Sequence, residues 1–277
     1  MSARAIQMAS HPARAGAESR GRIRAHLLDG WVLRALSVVV ILVAWEIYGR
    51  STNPILFTYP SAVSGAAVNM TREGILLEAI GQSLLVLGIG LAAGTVVGIV
   101  LGLAVGRSRV MEALLDLPTI ALYATPMVAL VPVLVLWFGF GTWSKIVIVF
   151  LFAVFPVLIN TTRGVKEADP GLEEVARSFC SSERRKWFDL TLPSALPFIV
   201  TGVRLAIGRG LIGVVVAEFY TSIAGLGFVI VSNASQFRTS RMFVPILVLM
   251  VLGVVLTKAL EVLERRLTPW AQNGNHH

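Results

Sequence analysis

SLLVLGIGLAAGTVVGIVLGLAV, residues 83–105, runs without one charged side chain. About 20 apolar residues match the hydrocarbon thickness of a bilayer, and a helix satisfies its own backbone hydrogen bonds there, so the stretch reads as a membrane-crossing helix. Within it and just past its end, Gly90, Gly94, Gly98, Gly102 and Gly106 recur at every fourth position. This repeated small-residue spacing leaves one face of the helix bare and lets another backbone come close. The partner on that face is either another helix of the same chain or a second copy, in which case the glycines form a homodimer seam.

Working outward, five more segments have the length and apolarity to cross: residues 31–49, 117–138, 144–160, 198–220 and 243–263. The predicted fold class is therefore an all-α membrane protein with six transmembrane helices. Composition agrees, with 55% hydrophobic residues, 14% charged and a mean hydropathy of +0.76. A soluble domain of 277 residues would carry far more polar surface. The net charge of +8 could suggest nucleic acid, but no basic, aromatic-interleaved patch is present, and no nucleic-acid partner is expected. Instead the basic residues gather at the ends of the apolar runs. With the N-terminus placed in the cytoplasm, 16 of the 24 lysines and arginines fall on the inner side, 5 on the outer side and 3 within spans. That asymmetry predicts both termini in the cytoplasm.

Residues 1–30 are expected to be a disordered basic cytoplasmic tail, 31–269 the membrane domain and 270–277 a flexible C-terminal tail. No small-residue cleavage site follows the first span, so the N-terminal region does not read as a cleaved signal. Residues 60–81 are expected to form one interfacial helix on the outer face. Cys180 is the single cysteine and the four histidines form no ligand pattern, so neither a disulfide, a metal site nor a cofactor is expected.

The third span carries Pro118, Pro126 and Pro132 and should be bent or broken. Bent helices with freed carbonyls tend to line cavities, which makes Thr125, Pro126 and Pro132 candidate pathway residues. Ionisable residues inside spans are expensive and are usually functional or paired. Here they are few, chiefly Glu46, Arg204, Arg209, Glu218 and Lys258. Of these, Arg204, Arg209 and Glu218 join the pathway candidates, with structural pairing as the alternative. An ion-gradient-driven secondary carrier is the rival function, but no string of buried carboxylates and no internal repeat supports it. No GxxxxGK[ST] loop is present, so the chain does not itself hold nucleotide phosphates.

The concentrated charge lies between the fourth and fifth spans. LEEVARSFCSSERRKWFDLTLP, residues 172–193, reads as two short helices on the cytoplasmic side. Asp169-Pro170 starts the first, Ser181 or Ser182 caps the second, and Leu192-Pro193 is expected to end it. Val175, Ala176, Phe179, Trp187 and Phe188 are expected inside this knob, with the charges outside. The loop resembles the cytoplasmic signature of permease subunits of binding-protein-dependent ABC importers: Glu174-Val175-Ala176, three residues, Cys180, nine residues, Leu190, Thr191, Leu192, Pro193. Further blocks, such as PMVALVPVLVLWFGFGTWSKI (126–146) and AGLGF (224–228), are similar to the nitrate, sulfonate and taurine branch.

The resemblance implies a non-catalytic, multi-pass transport subunit of the bacterial inner membrane, moving a small anionic solute such as a sulfonate, taurine or nitrate. It implies as partners a second permease copy, two cytoplasmic ATPase subunits and an extracytoplasmic solute-binding protein. It assigns ATPase coupling to loop 163–197, through Glu174, Ala176, Cys180, Ser181, Ser182, Glu183, Arg184, Arg185, Leu192 and Pro193. One position departs from the family pattern, since Cys180 stands where the motif has glycine. If the turn there requires a positive φ, cysteine is strained by about 1–2 kcal/mol. Otherwise the turn avoids that conformation.

Overall fold

The computed structural model describes residues 30–167 and 169–267, all helices and short connections. The expected terminal tails fall almost wholly outside the described residues. The chain divides into two units, Met1–Ser61 and Ala62–His277.

In the first unit, helix α1 (Gly30–Ser51) is a single apolar span. Its end is closed by the hydroxyls of Ser51 and Thr52, which donate to the Tyr48 carbonyl at 2.8 and 2.9 Å. The chain then returns along the helix. Trp45 Nε1 donates to the Thr58 carbonyl at 2.8 Å. A side chain at Gly49 would meet that same carbonyl at 2.6 Å, so only a bare backbone lets the returning segment lie there. Glu46 pairs with Arg50 at 2.7 Å and accepts from the backbone N–H and hydroxyl of Ser61. This intramembrane carboxylate thus closes a turn.

The second unit takes up the chain within α2 (Pro60–Arg72). The single helix expected over 60–81 is two. Gly74 adopts φ +78°, a left-handed conformation that ends α2 and lets α3 (Ile75–Arg107) begin immediately after. At 33 residues, α3 is about 50 Å long, well beyond a ~30 Å hydrocarbon core.

The core is three helices deep. α6 (Thr142–Lys166) is the central one, with 67% of its span buried, and packs most extensively on α3 and on α9 (Leu192–Thr221). The five glycines of the four-residue ladder in α3 all face α6. A Cβ on Gly90, Gly94, Gly98, Gly102 or Gly106 would approach the Cβ of Val149, Ala153, Val157, Thr161 or Val165, respectively, at 2.6–2.8 Å. Both sides of the seam therefore repeat every four residues, and the backbones meet within one chain. This occupies the face that could otherwise have formed a homodimer seam. On the other side of α6, Gly202 of α9 lies against the backbone of Pro156 and Val157.

The third span is a broken pair, α4 (Arg109–Ala124) and α5 (Met127–Phe138), bent by 99°. Of its three prolines only Pro126 breaks the helix. Thr125, preceding it, is driven to an extended backbone (φ −67°, ψ 131°), whereas Pro118 and Pro132 sit inside intact helices. Counting the pair as one, six spans result. Two elements complete the chain: α10 (Leu226–Ser235), too short to cross and not anticipated from the sequence, and α11 (Thr239–Leu267).

Candidate functional site

Three arrangements hold the residues singled out in the sequence, and they lie apart from one another. The first is the loop after α6. Helix α7 (Pro170–Ser178) starts at Asp169, whose side chain accepts from the Gly171 N–H at 2.8 Å. It ends in two bonds of Schellman type: Ser181 N–H to the Ala176 carbonyl at 3.0 Å, and Cys180 N–H to the Arg177 carbonyl at 2.9 Å. That geometry requires a left-handed residue at position 180, and Cys180 takes φ +50°. The turn thus adopts the strained alternative. Ala176 accepts the longer of the two closing bonds, which ties its place in the motif to the turn.

Ser182 then caps α8 (Glu183–Lys186), accepting from the Arg185 N–H at 3.3 Å. Here the sequence expectation fails, because Leu192-Pro193 does not end a helix. A π turn over Trp187–Thr191 takes the Leu192 N–H to the Trp187 carbonyl. The wider turn absorbs the missing proline N–H, so one helical segment runs from Glu183 to Thr221. Leu192 and Pro193 are half-buried at the base of α9, not on an exposed surface.

A second correction concerns packing. Phe179 is 81% exposed, and Leu172, Val175 and Phe188 are also exposed. Leu172 and Val175 of α7 and Phe179 at its C-cap, at spacings of three and seven, share one face that no other described residue covers. Of the five side chains expected inside the knob, only Ala176 and Trp187 are partly buried. The loop is held by Glu183, which accepts from Arg107 at the end of α3 and from Lys186, both at 2.9 Å. The Arg107 guanidinium also lies 5.5 Å over the Trp187 ring. Glu174, Arg184 and Arg185 remain exposed, and Ser181 is half-buried.

The second arrangement is a cavity of about 320 Å³ at the break between α4 and α5. Tyr123, Thr125, Pro126, Phe152, Phe155 and Arg209 line it. Arg209 Nη2 donates to Tyr123 Oη at 2.8 Å, and its guanidinium stacks 4.5 Å from the centre of the Tyr123 ring. Pro132 is not at this cavity. Neither is Arg204, which pairs with Glu264 of α11 beside a separate cavity of about 510 Å³. The two arginines of α9 therefore do not form one site.

The third arrangement surrounds Glu218, for which the sequence offered a pathway role or structural pairing, and it shows pairing. Glu218 is completely buried. Its carboxylate accepts from Ser83 Oγ and from the Gly227 N–H, both at 2.7 Å, at the start of α10. Ser83 Oγ in turn accepts from the Leu226 N–H at 2.9 Å. A Cβ at Gly225, which has φ +107°, would lie 2.0 Å from the carboxylate. The buried Lys145 donates to the Ala224 carbonyl at 2.8 Å. A carboxylate at a helix N-terminus is favoured by the helix dipole, and this one fastens α10 to α3 and α9.

Ser83, Lys145, Tyr123, Phe152 and Phe155 went unnoticed in the sequence as site residues. Only the glycines of AGLGF and the proximity of Tyr123 to Thr125-Pro126 offered a signal. Among the described residues no group of three His, Cys, Asp or Glu side chains could hold a metal.

Comparison with known proteins gives a consistent result. Residues 94–269 match the family described as binding-protein-dependent transport system inner membrane component. The chain is 32% identical over 237 residues to the formylaminopyrimidine transport permease protein of Halalkalibacterium halodurans, covering 85% of this chain and 94% of that one. It is 34% identical over 199 residues to the taurine transport system permease protein of Escherichia coli, covering 72% of each. A crystal structure of an amino acid ABC transporter with histidines superposes with a TM-score of 0.58 at 15% identity, over 72% of this chain and 97% of that one.

Proposed function

The chain belongs to the family of inner membrane components of binding-protein-dependent transport systems, and from that premise we propose how its parts divide the work. It is a multi-pass permease subunit of an ABC importer, not an ion-driven carrier, and ATP is hydrolysed by a separate partner chain. A solute-binding protein delivers the solute. In our reading, α7 and the turn through Cys180 dock into a groove of the ATPase. The observation that carries this is the uncovered apolar face of Leu172, Val175 and Phe179, on a loop that also exposes Glu174, Arg184 and Arg185. A buried apolar anchor with a charged rim is the common composition of a specific interface.

Two copies of the chain pair with two ATPase subunits, and both termini lie in the cytoplasm, as the 16-to-5 distribution of lysine and arginine supports. The solute is a small anion that passes the cavity at Thr125, Pro126 and Arg209. The test is co-purification from mild detergent of wild type, Phe179→Asp and Glu174→Ala. Wild type retains an ATPase of its own cell, and Phe179→Asp loses it while inserting normally. Retention by Phe179→Asp would refute the docking face.

A further inference from the structure

Arg209 differs from Arg204, Glu218 and Lys258, the other ionisable residues singled out within the α9 and α11 spans. Arg204 is paired with Glu264 and Lys258 with Glu261, while Glu218 is held by Ser83 and Gly227. Among the described residues no carboxylate lies within ion-pair distance of Arg209. Its position makes this costly. Arg209 and Thr221, the last residue of α9, are separated by about 18 Å at 1.5 Å per residue. That places the guanidinium near the middle of a ~30 Å hydrocarbon core, where an uncompensated charge is expensive and is ordinarily functional.

The groups around it specify what compensates the charge. The guanidinium has five N–H donors and shows one bond, to Tyr123 Oη. Because that oxygen accepts from Arg209, the phenol keeps its own proton to give. Thr125 has given its proton to the Ala121 carbonyl at 2.8 Å. Donors therefore converge from Arg209 and Tyr123, with no anionic acceptor supplied by the protein. The remaining wall is apolar, from Met127, Phe152 and Phe155.

Volume then separates two kinds of anion. A cavity of about 320 Å³ holds on the order of ten waters. A four-atom inorganic oxyanion fills a small part of it and leaves the phenylalanines facing water. An anion with a short hydrocarbon or aromatic body fills the apolar part and excludes water from its own ion pair.

We infer that the break between α4 and α5 is an intramembrane binding site for a small organic monoanion, its sulfonate or carboxylate held by Arg209 and Tyr123 and its apolar body against Phe152 and Phe155. The inference rests on the reading of this cavity as part of the pathway. It adds a solute class and makes the permease itself a selective element.

The test uses the permease purified with its ATPase partner in lipid nanodiscs, with butane-1-sulfonate and nitrate as probes and calorimetric binding as the readout. Butane-1-sulfonate binds at least tenfold more tightly than nitrate. Arg209→Gln weakens it at least tenfold, Arg209→Lys recovers part of the loss, and Phe155→Ala narrows the preference over nitrate. Equal binding of the two probes, or sulfonate binding indifferent to Arg209→Gln, overturns the site. So does an absence of binding in a complex that retains its ATPase, and the docking proposal then still stands. Loss of the ATPase from wild type instead overturns the docking proposal, and the same titrations on the permease alone still decide the site.

Discussion

Cys180→Gly should stabilise the docking loop, and the structure sets the size of the effect. Cys180 occupies the left-handed position of the turn that ends α7, at φ +50°. A side chain with a Cβ is strained there by about 1–2 kcal/mol. Glycine removes this strain but adds freedom to the open chain, which costs about 0.5–1 kcal/mol. The net gain is about 0.5–1 kcal/mol, or about a two- to fivefold shift in a local opening equilibrium. The amides that report it are those of residue 180 and Ser181, which donate the two closing bonds to Arg177 and Ala176. Native-state hydrogen exchange should show their protection rising two- to fivefold in Cys180→Gly, with little change in the α6 core. Cys180→Ala is the control, since alanine keeps the Cβ and the strain, and its protection should stay at the wild-type level. Equal gains in Gly and Ala variants would refute the conformational argument and point to the thiol itself.

Two further outcomes follow from packing. Gly98→Val should destabilise the fold by about 1–3 kcal/mol, because its Cβ would stand 2.8 Å from both the Val154 carbonyl and the Val157 Cβ. Gly88→Ala, on the same helix with nothing within 4 Å, should be neutral or mildly stabilising in the same thermal-unfolding series. Glu218→Ala should cost about 2–5 kcal/mol, since it leaves the buried Gly227 N–H and Ser83 hydroxyl without their acceptor, and Glu218→Gln should recover part of this. A melting temperature unchanged in Glu218→Ala would contradict the anchoring role of that carboxylate.

The spans were legible because bilayer thickness imposes a length and an apolarity that composition alone reveals. The glycine ladder of α3 was equally plain, but its partner was not: Val149, Ala153, Val157, Thr161 and Val165 repeat every four residues without looking unusual in an apolar helix. Glu218 stayed open between two readings for a related reason. A carboxylate in a span signals expense, yet only the fold shows whether a backbone N–H, here that of Gly227, already satisfies it. Leu192-Pro193 misled because proline argues for a helix end, and the wider turn at Trp187–Thr191 that accommodates it carries no sequence signature.

That accommodation has a mechanical consequence for the proposed coupling. Had the helix ended at Leu192, a force on the loop would be lost in a flexible joint before reaching the membrane. Instead the segment Glu183–Thr221 is continuous, and it carries Arg209. Its start at Glu183 is fastened to α3 through Arg107, while Gly202 and the glycine ladder lock α9, α6 and α3 backbone to backbone. Close-packed interfaces of this kind shift as units and do not deform continuously. A push on α7 therefore displaces these three helices as one body, taking Arg209, Phe152 and Phe155 with it. The element least packed on that body is α4, which has no buried residue, whereas α5 sets Val131, Leu134 and Val135 against α6 and α9; the 99° bend at Thr125-Pro126 leaves Tyr123 on the α4 half of the joint. On this argument the Arg209–Tyr123 contact is the one that coupling opens and closes, and a disulfide cross-link fixing α4 to α9 should abolish transport while leaving ATPase docking intact.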